Sequence, residues 1–381
     1  MPGYEVRRVG GNRQDQRRFI NMQWELYAGD KNWVPPLIMT VKENVGFTHH
    51  PFYEKNKCAN FIVTKGDKTV GRITAIVNHA HNERFDEKRG FFGFFESIDD
   101  QEVANLLFTE ACKYLAQEHG MTDIRGPVNP SLNYEVGTLV DGFDSPPTFM
   151  MTYNHDYYDK LQKGFGLDKA QDLFAYEGHI SMIANLDPKL IFVCNELNRR
   201  FNVEVRPFNP KKFDEEVNLF LDIYNKSLVA TWGFVPLSEG EVAHQAKSLK
   251  HLLLPELTTF IEVDGKPIGA GLGLMDYNQI IKKMNGRLLP FGFLRLLMGK
   301  RKLDRVRLMS TNVLPEYQKW GFGLLALARM LDDVLKMGIK HGEFSWVLES
   351  NHLSRASLER GGLNRNKTYR LYDGSLSDFS K

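Results

Sequence analysis

The chain reads Val313-Leu314-Pro315-Glu316-Tyr317-Gln318-Lys319-Trp320-Gly321-Phe322-Gly323-Leu324-Leu325 between a predicted strand and a predicted helix. The pattern Gln318-x-x-Gly321-x-Gly323 puts two glycines before the helix, where a backbone can turn tightly and come close to a ligand. The start of a helix also offers N–H groups without helical partners and the positive end of the helix dipole. We therefore predict a diphosphate site in this loop. The alternative is an ordinary glycine-containing turn.

The segments around this loop follow an order that occurs twice in the chain. In the second half we predict strands at 259–263, 267–274 and 304–309, a helix at 324–337 and a strand at 343–348. In the first half we predict strands at 60–64, 69–77 and 90–96, a helix between Asp99 and Gly120, and a strand at 122–126. This order indicates two copies of one α/β fold. We place a degenerate first domain at 1–176 and a second domain at 177–381, with an insertion at about 276–303.

A second segment of the later copy, Ser345-Trp346-Val347-Leu348-Glu349-Ser350-Asn351 followed by Ala356, joins a strand to a helix. Together with the glycine loop it resembles the GNAT acyltransferase superfamily. The resemblance implies the acyl-CoA N-acyltransferase (GNAT) fold in two tandem copies with a mixed α/β sheet, acyl-CoA as co-substrate, and no metal. It also implies that two parallel strands splay apart to admit pantetheine, and that the N–H near Val313 polarises the thioester carbonyl. The CoA-binding residues implied are Val313, Gln318, Lys319, Trp320, Gly321, Phe322, Gly323 and Leu324.

Three residues are predicted to act on the reacting atoms, because aminolysis of a thioester needs a base for the amine and an acid for the departing thiolate. Glu349 is the predicted base, acting through a water, and its alternative is a solvated carboxylate at a strand end. Asn351 is predicted to orient the acceptor or the thioester, or else to cap the next helix. Many GNAT enzymes have a tyrosine where this chain has Ser357. Tyr369 or Tyr372 is then the substitute acid, unless each is a packed strand aromatic.

The first copy lacks the glycine loop. Between its third strand and its helix it reads Glu96-Ser97-Ile98-Asp99-Asp100-Gln101. Carboxylates that face a diphosphate would repel it. We therefore predict that this copy binds no CoA and supports the fold or the acceptor site.

The insertion of the second copy combines cations with a short apolar run. Within residues 281–307 lies Leu288-Leu289-Pro290-Phe291-Gly292-Phe293-Leu294-Arg295-Leu296-Leu297-Met298, and Asp304 is the only acid of that range. Segments that place apolar side chains in a bilayer interface and cations at anionic headgroups have this pattern. We expect peripheral contact with the inner membrane surface through 281–307, and the alternative is a covering helix packed on the second domain. The cations are Lys282, Lys283, Arg287, Arg295, Lys300, Arg301, Lys302, Arg305 and Arg307.

Six further blocks narrow the resemblance. They are GFFGFFE (90–96), RGPVN (125–129), DGFDSPP (141–147), WGFVP (232–236), GRLLPFG (286–292) and KTYR (367–370). Over about residues 52–372 the chain looks like the tandem-GNAT group that includes bacterial ceramide synthases. That resemblance implies N-acylation of a long-chain sphingoid base, a primary amine, by a fatty acyl-CoA. Two other functions stay open: a tandem-GNAT aminoacyl transferase of the Fem type, which needs no diphosphate site, and a non-catalytic acyl-CoA or lipid-binding protein.

The composition sets limits on partners and location. Hydrophobic residues make up 42% and charged residues 25% of the 381 residues, which is enough apolar material for ordinary cores. With 49 basic and 47 acidic residues the formal charge is +2, so we expect no nucleic-acid partner. Three widely spaced cysteines form no metal-like cluster. Because Met1–Arg8 lacks an apolar core and no apolar run reaches about 18 residues, we expect a cytoplasmic protein.

Overall fold

The secondary structure is that of a mixed α/β protein. A computed structural model describes residues 3–379, except for the side chain of Arg301, so Met1, Pro2, Ser380 and Lys381 lie outside the described part. The strands are β1 (Tyr4–Val9), β2 (Lys57–Lys65), β3 (Lys68–Val77), β4 (Arg89–Ser97), β5 (Asp123–Gly126), β6 (Val128–Asn129), β7 (Glu135–Val136), β8 (Thr138–Asp141), β9 (Asp168–His179), β10 (Val203–Pro207), β11 (Thr258–Val263), β12 (Lys266–Met275), β13 (Arg305–Val313), β14 (His341–Leu348) and β15 (Asn364–Ser375).

The helices lie between these strands. They are α1 (Arg13–Leu26), α2 (Ile38–Asn44), α3 (His79–Phe85), α4 (Gln101–Lys113), α5 (Tyr158–Gly164), α6 (Pro188–Arg200), α7 (Phe213–Ser227), α8 (Glu239–Leu249), α9 (Asn278–Ile281), α10 (Gly292–Gly299), α11 (Gly323–Lys336) and α12 (His352–Arg360). Short 3₁₀ helices lie at Pro51–Glu54, Ile180–Asn185, Pro210–Lys212, Pro255–Leu257, Lys282–Met284, Lys300–Lys302, Pro315–Trp320 and Ser377–Phe379, and a π-helical turn, Tyr114–Glu118, extends α4.

The described residues divide into two compact units. The first comprises the described residues up to Leu173, Asn278–Met298, and those from Lys367 onward; the second comprises Phe174–Tyr277 and Gly299–Asn366. This division departs from two continuous domains that meet at 176/177. Most of the insertion and the C-terminal strand belong to the first unit.

Two long-range arrangements account for this departure. The indole Nε1 of Trp24 in α1 donates to Asn285 Oδ1 (2.7 Å), which fastens the insertion to the first unit. The C-terminal part of β15 pairs antiparallel with β5, beginning at Tyr372↔Gly126. Local periodicity carries no signal for either contact, which is why the sequence alone suggested continuous halves.

The first unit contains a sheet in the order β1-β2-β3-β4-β5, with β15 next to β5. Neighbouring strands are antiparallel except β4 and β5, which are parallel and connected by α4. The Asp100 side chain caps α4 by accepting from Glu102 N. The helix buries Val103, Leu107 and Phe108 completely, and each such side chain contributes roughly 1.5–3 kcal/mol to folding.

The second unit repeats this plan with a sheet in the order β14-β13-β12-β11-β10. Here β13 and β14 are parallel and connected by α11, whereas the other pairs are antiparallel. The inner face of α11 packs Leu325 and Ala326 with Ile261, Ile268 and Phe322. In both units the fourth and fifth strands are parallel, and the order from β2 and from β11 onward is the one that the sequence predicted. The first strand of each sheet, β1 or β10, was not predicted.

Candidate functional site

The loop before α11 forms a cradle of backbone N–H groups. The 3₁₀ helix Pro315–Trp320 ends at Gly321, whose φ of 89° and ψ of 19° are left-handed. Phe322 returns to right-handed values of −55° and −28°. A left-handed residue followed by a right-handed residue turns three successive N–H groups toward one side. These belong to Gly321, Phe322 and Gly323, and we call them the amide nest.

The nest is open at the point where α11 begins. Leu324 N donates to Gly321 O and Leu325 N to Phe322 O, both at 3.0 Å, so the next two donors of the helix are used internally. Within residues 3–379, the N–H groups of Phe322 and Gly323 make no hydrogen bond to backbone or side chain. Together with the positive end of the α11 dipole, these donors suit an anion such as a diphosphate.

Gln318 holds the loop in place. Its Nε2 donates to Val313 O (3.0 Å) and to Ser227 O (2.9 Å). The side chain thus connects the end of β13 with the end of α7, and its amide protons point at carbonyls of the protein. In this structure the predicted CoA-binding residue Gln318 shapes the nest by fixing its neighbours.

The other predicted CoA-binding residues share the loop with different environments. The Phe322 ring is fully buried, with Phe201 at 5.3 Å and Tyr317 at 5.7 Å between ring centroids. Lys319 and Trp320 are exposed, and Leu324 is half-buried. The buried Phe322 ring therefore fixes the nest to the protein core, whereas Lys319 and Trp320 of the same loop are exposed to solvent.

A wedge opens between β13 and β14 next to this loop. The registered pairs of these parallel strands run only from Arg305↔His341 to Leu308↔Phe344, although β13 continues to Val313. Leu314 N donates to Ile268 O (2.9 Å) on the β12 side. Because N–H groups alternate between the two edges of a strand, the Val313 N–H points toward the β14 side, beyond the last pair. This is the place where the resemblance put a donor for a thioester carbonyl.

A buried polar cluster that sequence reasoning missed sits at the vertex of the wedge. Arg307 Nε donates to Ser345 Oγ (2.9 Å), Arg307 Nη2 donates to Ser345 O (3.0 Å), and Ser345 Oγ donates to Glu343 Oε1 (2.7 Å). All three residues are at most 4% exposed. Buried charges persist only when they are paired. The cluster fixes Ser345, the first residue of β14 after the last registered pair.

The predicted base and the predicted orienting residue lie directly after β14. Glu349 is half-buried in a turn, and its carbonyl oxygen accepts from Arg355 Nη1 (2.8 Å). Asn351 is exposed and caps α12, because its Oδ1 accepts from Ser354 N (3.1 Å). The structure thus shows the capping alternative for Asn351. The catalytic assignments of both residues stay predictions.

Tyr369, the predicted acid, belongs to the first unit. It lies in β15, pairs with Leu139 of β8, and is fully buried. This is the environment of a packed strand aromatic, the alternative that the sequence left open. Tyr372 is buried as well, and its hydroxyl donates to Asp159.

Comparisons with known proteins match the whole chain. Protein YghO of Escherichia coli (strain K12) is 32% identical over 371 residues, which cover 96% of this chain and 94% of that protein. A bacterial ceramide synthase of Caulobacter vibrioides (strain NA1000 / CB15N) is 33% identical over 373 residues, 94% of each chain. A solved tandem GNAT protein from the clavulanic acid biosynthesis pathway has a TM-score of 0.57 at 11% identity, over 98% of this chain and 99% of that one. No family model matches the chain.

This chain has the tandem GNAT fold. It belongs to the group that contains the bacterial ceramide synthase, because the identity to that relative extends over nearly the full length of both chains. The predicted fold class, two GNAT copies with a mixed α/β sheet, is confirmed.

In the N-terminal GNAT copy the corresponding wedge is filled by the chain itself. Strand β6 runs beside β4, so a Cβ added at Gly93 would lie only 1.9 Å from Val128 O. The Asn129 side chain accepts from Phe94 N (2.7 Å), just beyond the last β4–β5 pair. The backbone donor that a thioester would need is therefore already bonded, which supports the prediction that this copy binds no CoA.

Two of the three acids in the stretch 96–101 accept hydrogen bonds within the protein. Glu96 is 5% exposed and accepts from Tyr27 OH (2.7 Å) and Tyr158 OH (2.6 Å). Asp100 caps α4 and accepts from Tyr4 OH (2.6 Å), a bond that lowers the pKa of its carboxyl. The filled wedge distinguishes this copy from the second one.

Two further properties concern the described residues as a whole. No helix in residues 3–379 has both the length and the apolar character needed to cross a bilayer. In the same range, no three His, Cys, Asp or Glu side chains come together where they could hold a metal ion.

Proposed function

We propose that this tandem GNAT protein is an acyl-CoA-dependent N-acyltransferase that transfers an acyl group directly from a CoA thioester to a primary amine. The observation that carries the proposal is the amide nest at Gly321–Gly323, which opens next to the wedge between β13 and β14. The nest would receive the diphosphate, and the wedge would receive the pantetheine arm. The second unit would thus bind the diphosphate and the pantetheine arm of CoA.

The chemistry follows from the groups at the end of the wedge. The amine nitrogen attacks the thioester carbonyl carbon, and the Val313 N–H would stabilise the negative charge that develops on the carbonyl oxygen. Glu349 would take the amine proton through a water. The carbon–sulfur bond then breaks, and the thiolate leaves and takes up a proton. The products are an amide and free CoA.

The proton donor for the thiolate is a separate part of the proposal. A thiol has an ordinary pKa near 8.5, so a thiolate can leave and be protonated by solvent. If the Tyr369 hydroxyl supplies this proton, Tyr369→Phe should lower kcat and change its pH profile. An unchanged kcat would assign the proton to solvent.

We further propose that the acceptor is a long-chain amine of the sphingoid type. Support comes from the relative named bacterial ceramide synthase, which is 33% identical over 94% of this chain. A long-chain acceptor is also consistent with the exposed apolar side chains of the insertion, such as Phe291 and Met298, which are 69% and 78% exposed.

One experiment separates the candidate functions. The purified protein is incubated with palmitoyl-CoA or acetyl-CoA and with sphinganine, spermidine or buffer alone, while a thiol reagent records free CoA and mass spectrometry records the amide. CoA release that requires both palmitoyl-CoA and sphinganine is the expected result. CoA release with spermidine but not with sphinganine would support an acyltransferase and exclude the sphingoid base as its acceptor. CoA binding without release for any amine would indicate the non-catalytic acyl-CoA-binding protein. If the protein does not bind CoA, the Fem-type aminoacyl transferase would be the remaining candidate function.

A further inference from the structure

The insertion residues Asn278–Met298 have an inner side that is fixed to the first unit. Besides the bond between Trp24 and Asn285, Ile38 N donates to Gly286 O (3.0 Å). A Cβ added at Gly286 would lie 2.5 Å from the Trp24 ring, so the two segments are in close contact. Ile281 and Met284 are buried on the same side. The segment is therefore an integral part of this unit and presents a defined outer side.

The outer side carries large apolar side chains that contact water. In α10, Gly292 and Leu296 lie four positions apart on one face and are buried, whereas Leu294, Leu297 and Met298 on the other faces are exposed. The exposed fractions are 73% for Leu289, 69% for Phe291, 53% for Leu294, 40% for Leu297 and 78% for Met298. Contiguous exposed apolar residues on a folded protein mark a surface that another molecule covers. We call these five residues the apolar tip.

The charged side chains of the segment that carries the apolar tip are all cations. Within 278–298 the charged residues are Lys282, Lys283, Arg287 and Arg295, and no Asp or Glu occurs. All four side chains are exposed. Arg295 Nη1 donates to Lys283 O (3.3 Å) and the Lys282 ammonium donates to Lys31 O, so both keep their charge near the protein surface. Every charged side chain of the segment is therefore positive, and we call these four cations the cationic rim.

The structure shortens the segment 281–307, which the sequence predicted to face a membrane. Arg307 is buried against Ser345, and Arg305 Nη1 lies 2.7 Å from Glu177 Oε1 in the second unit. These two cations are engaged within the protein. The side chain of Arg301 lies outside the described part. The candidate surface is accordingly residues 282–298 of the first unit.

We propose that the apolar tip and its cationic rim dock on an anionic phospholipid bilayer. Charge complementarity argues for this partner, because four exposed cations with no acid in 278–298 match a surface of phosphates and carboxylates. The tip side chains would enter the interface to the depth of the headgroups, as in amphipathic helices that lie on membranes. Helix α10, eight residues long, is far too short to span. This inference does not depend on acyl transfer and can be tested without a substrate.

The test is co-sedimentation of the full-length protein with vesicles of phosphatidylcholine, with or without phosphatidylglycerol. We expect sedimentation with the anionic vesicles and much less with the neutral ones, and the difference should shrink at high salt. Lys283→Glu with Arg287→Glu should lower the partition coefficient on anionic vesicles by roughly tenfold or more. Phe291→Ser with Leu294→Ser and Met298→Ser should lower it further. The matched control is Leu335→Ser with Met337→Ser, which removes two exposed apolar side chains at the end of α11 and should bind like the wild type.

Several outcomes would overturn the proposal. Equal sedimentation with neutral and anionic vesicles, or none with either, would remove the anionic bilayer as partner. If the charge-reversal variant and the serine variant both bound anionic vesicles like the wild type, the membrane contact would lie outside residues 282–298. A change of oligomeric state in the Phe291, Leu294 and Met298 variant, measured by light scattering, would show that a second copy of the chain covers the tip. Unchanged thermal unfolding and CoA binding of each variant verify that it is folded.

Discussion

A substitution at Gly323 can distinguish the effect of an added charge on CoA binding from the effect of an added side chain. A Cβ added there would lie 3.7 Å from Thr311 Cβ and Oγ1, an ordinary contact, so a small side chain fits. Gly321 is unsuitable, because its φ of 89° disfavours other residues and its Cβ would lie 3.0 Å from Val193 Cγ1. We predict that Gly323→Asp loses CoA binding while the fold stays intact.

The size of the effect follows from Coulomb's law. A carboxylate about 5 Å from one phosphate charge costs about 0.8 kcal/mol in water and about 3 kcal/mol at an effective dielectric constant near 20. A diphosphate carries at least two such charges, so the loss is at least about 1.6 kcal/mol, more than tenfold in Kd. The same carboxylate at the start of α11 favours the helix by about 0.3–1 kcal/mol. Affinity and stability should therefore change in opposite directions.

The assay is isothermal titration with CoA, and thermal unfolding is measured on the same samples. Gly323→Asn is the matched control, since it has nearly the shape of aspartate without the charge. We expect Gly323→Asn to bind CoA much more tightly than Gly323→Asp, and both to unfold at or above the wild-type temperature. Equal affinities for the two variants would mean that space, not charge, matters at this position. Wild-type affinity for Gly323→Asp would remove the diphosphate from the nest altogether.

Three more predictions concern catalysis, the wedge and pH. Glu349→Gln should lower kcat by roughly a hundredfold or more, the usual contribution of a general base, with CoA affinity nearly unchanged; full kcat would exclude it as the base. Ser345→Ala removes the buried hydroxyl that accepts from Arg307 Nε and donates to Glu343 Oε1. The free energy of unfolding in urea should therefore fall by about 1–3 kcal/mol, and an unchanged value would contradict the role of the cluster. Burial lowers the pKa of His81 to about 4, from 6.5 in the unfolded chain. Because the unfolded chain binds the proton more readily between these values, the free energy of unfolding should drop by up to about 3 kcal/mol as pH falls from 6.5 toward 4. In His81→Gln the free energy of unfolding should change less with pH over this range. Equal pH dependence in the variant and the wild type would contradict the role of His81.

The parts of the site that lie within one short stretch could be predicted from the sequence. The nest depends on two glycines at fixed offsets before an apolar helix, and both properties are local. Gly321 does adopt the left-handed conformation that such a loop requires. The repeated order of strands and helices was visible for the same reason, since each element has its own hydrophobic period.

The parts that depend on pairing between distant segments could not be predicted. Arg307 looked like one more cation of the insertion, yet it is buried against Ser345, 38 positions along the chain. Charged residues inside the apolar strand patterns of β13 and β14 were the available signal for this cluster. Gln318 was assigned to the ligand because its loop resembles a binding motif, and that assignment stays a prediction. Its bond to Ser227 O, 91 positions away, depends on tertiary structure and had no signal in the sequence.

The same limit explains the N-terminal copy. Its acidic stretch at 96–101 suggested that negative charge would keep a diphosphate out. The structure shows in addition that the Phe94 N–H, which a thioester carbonyl would need, already donates to Asn129 Oδ1. No local pattern shows that a strand of two residues will fill the gap beside β4. That this copy binds no CoA stays a prediction, and the filled wedge gives it a basis that the sequence did not show.

The central claim, that backbone N–H groups of the nest bind a diphosphate, can be measured by NMR on protein labelled with ¹⁵N at glycine and phenylalanine. CoA is compared with pantetheine, which lacks the diphosphate. The amide signals of Gly321, Phe322 and Gly323 should shift with CoA and stay nearly in place with pantetheine. If these three signals do not move with saturating CoA, or move equally with pantetheine, the nest does not hold the diphosphate.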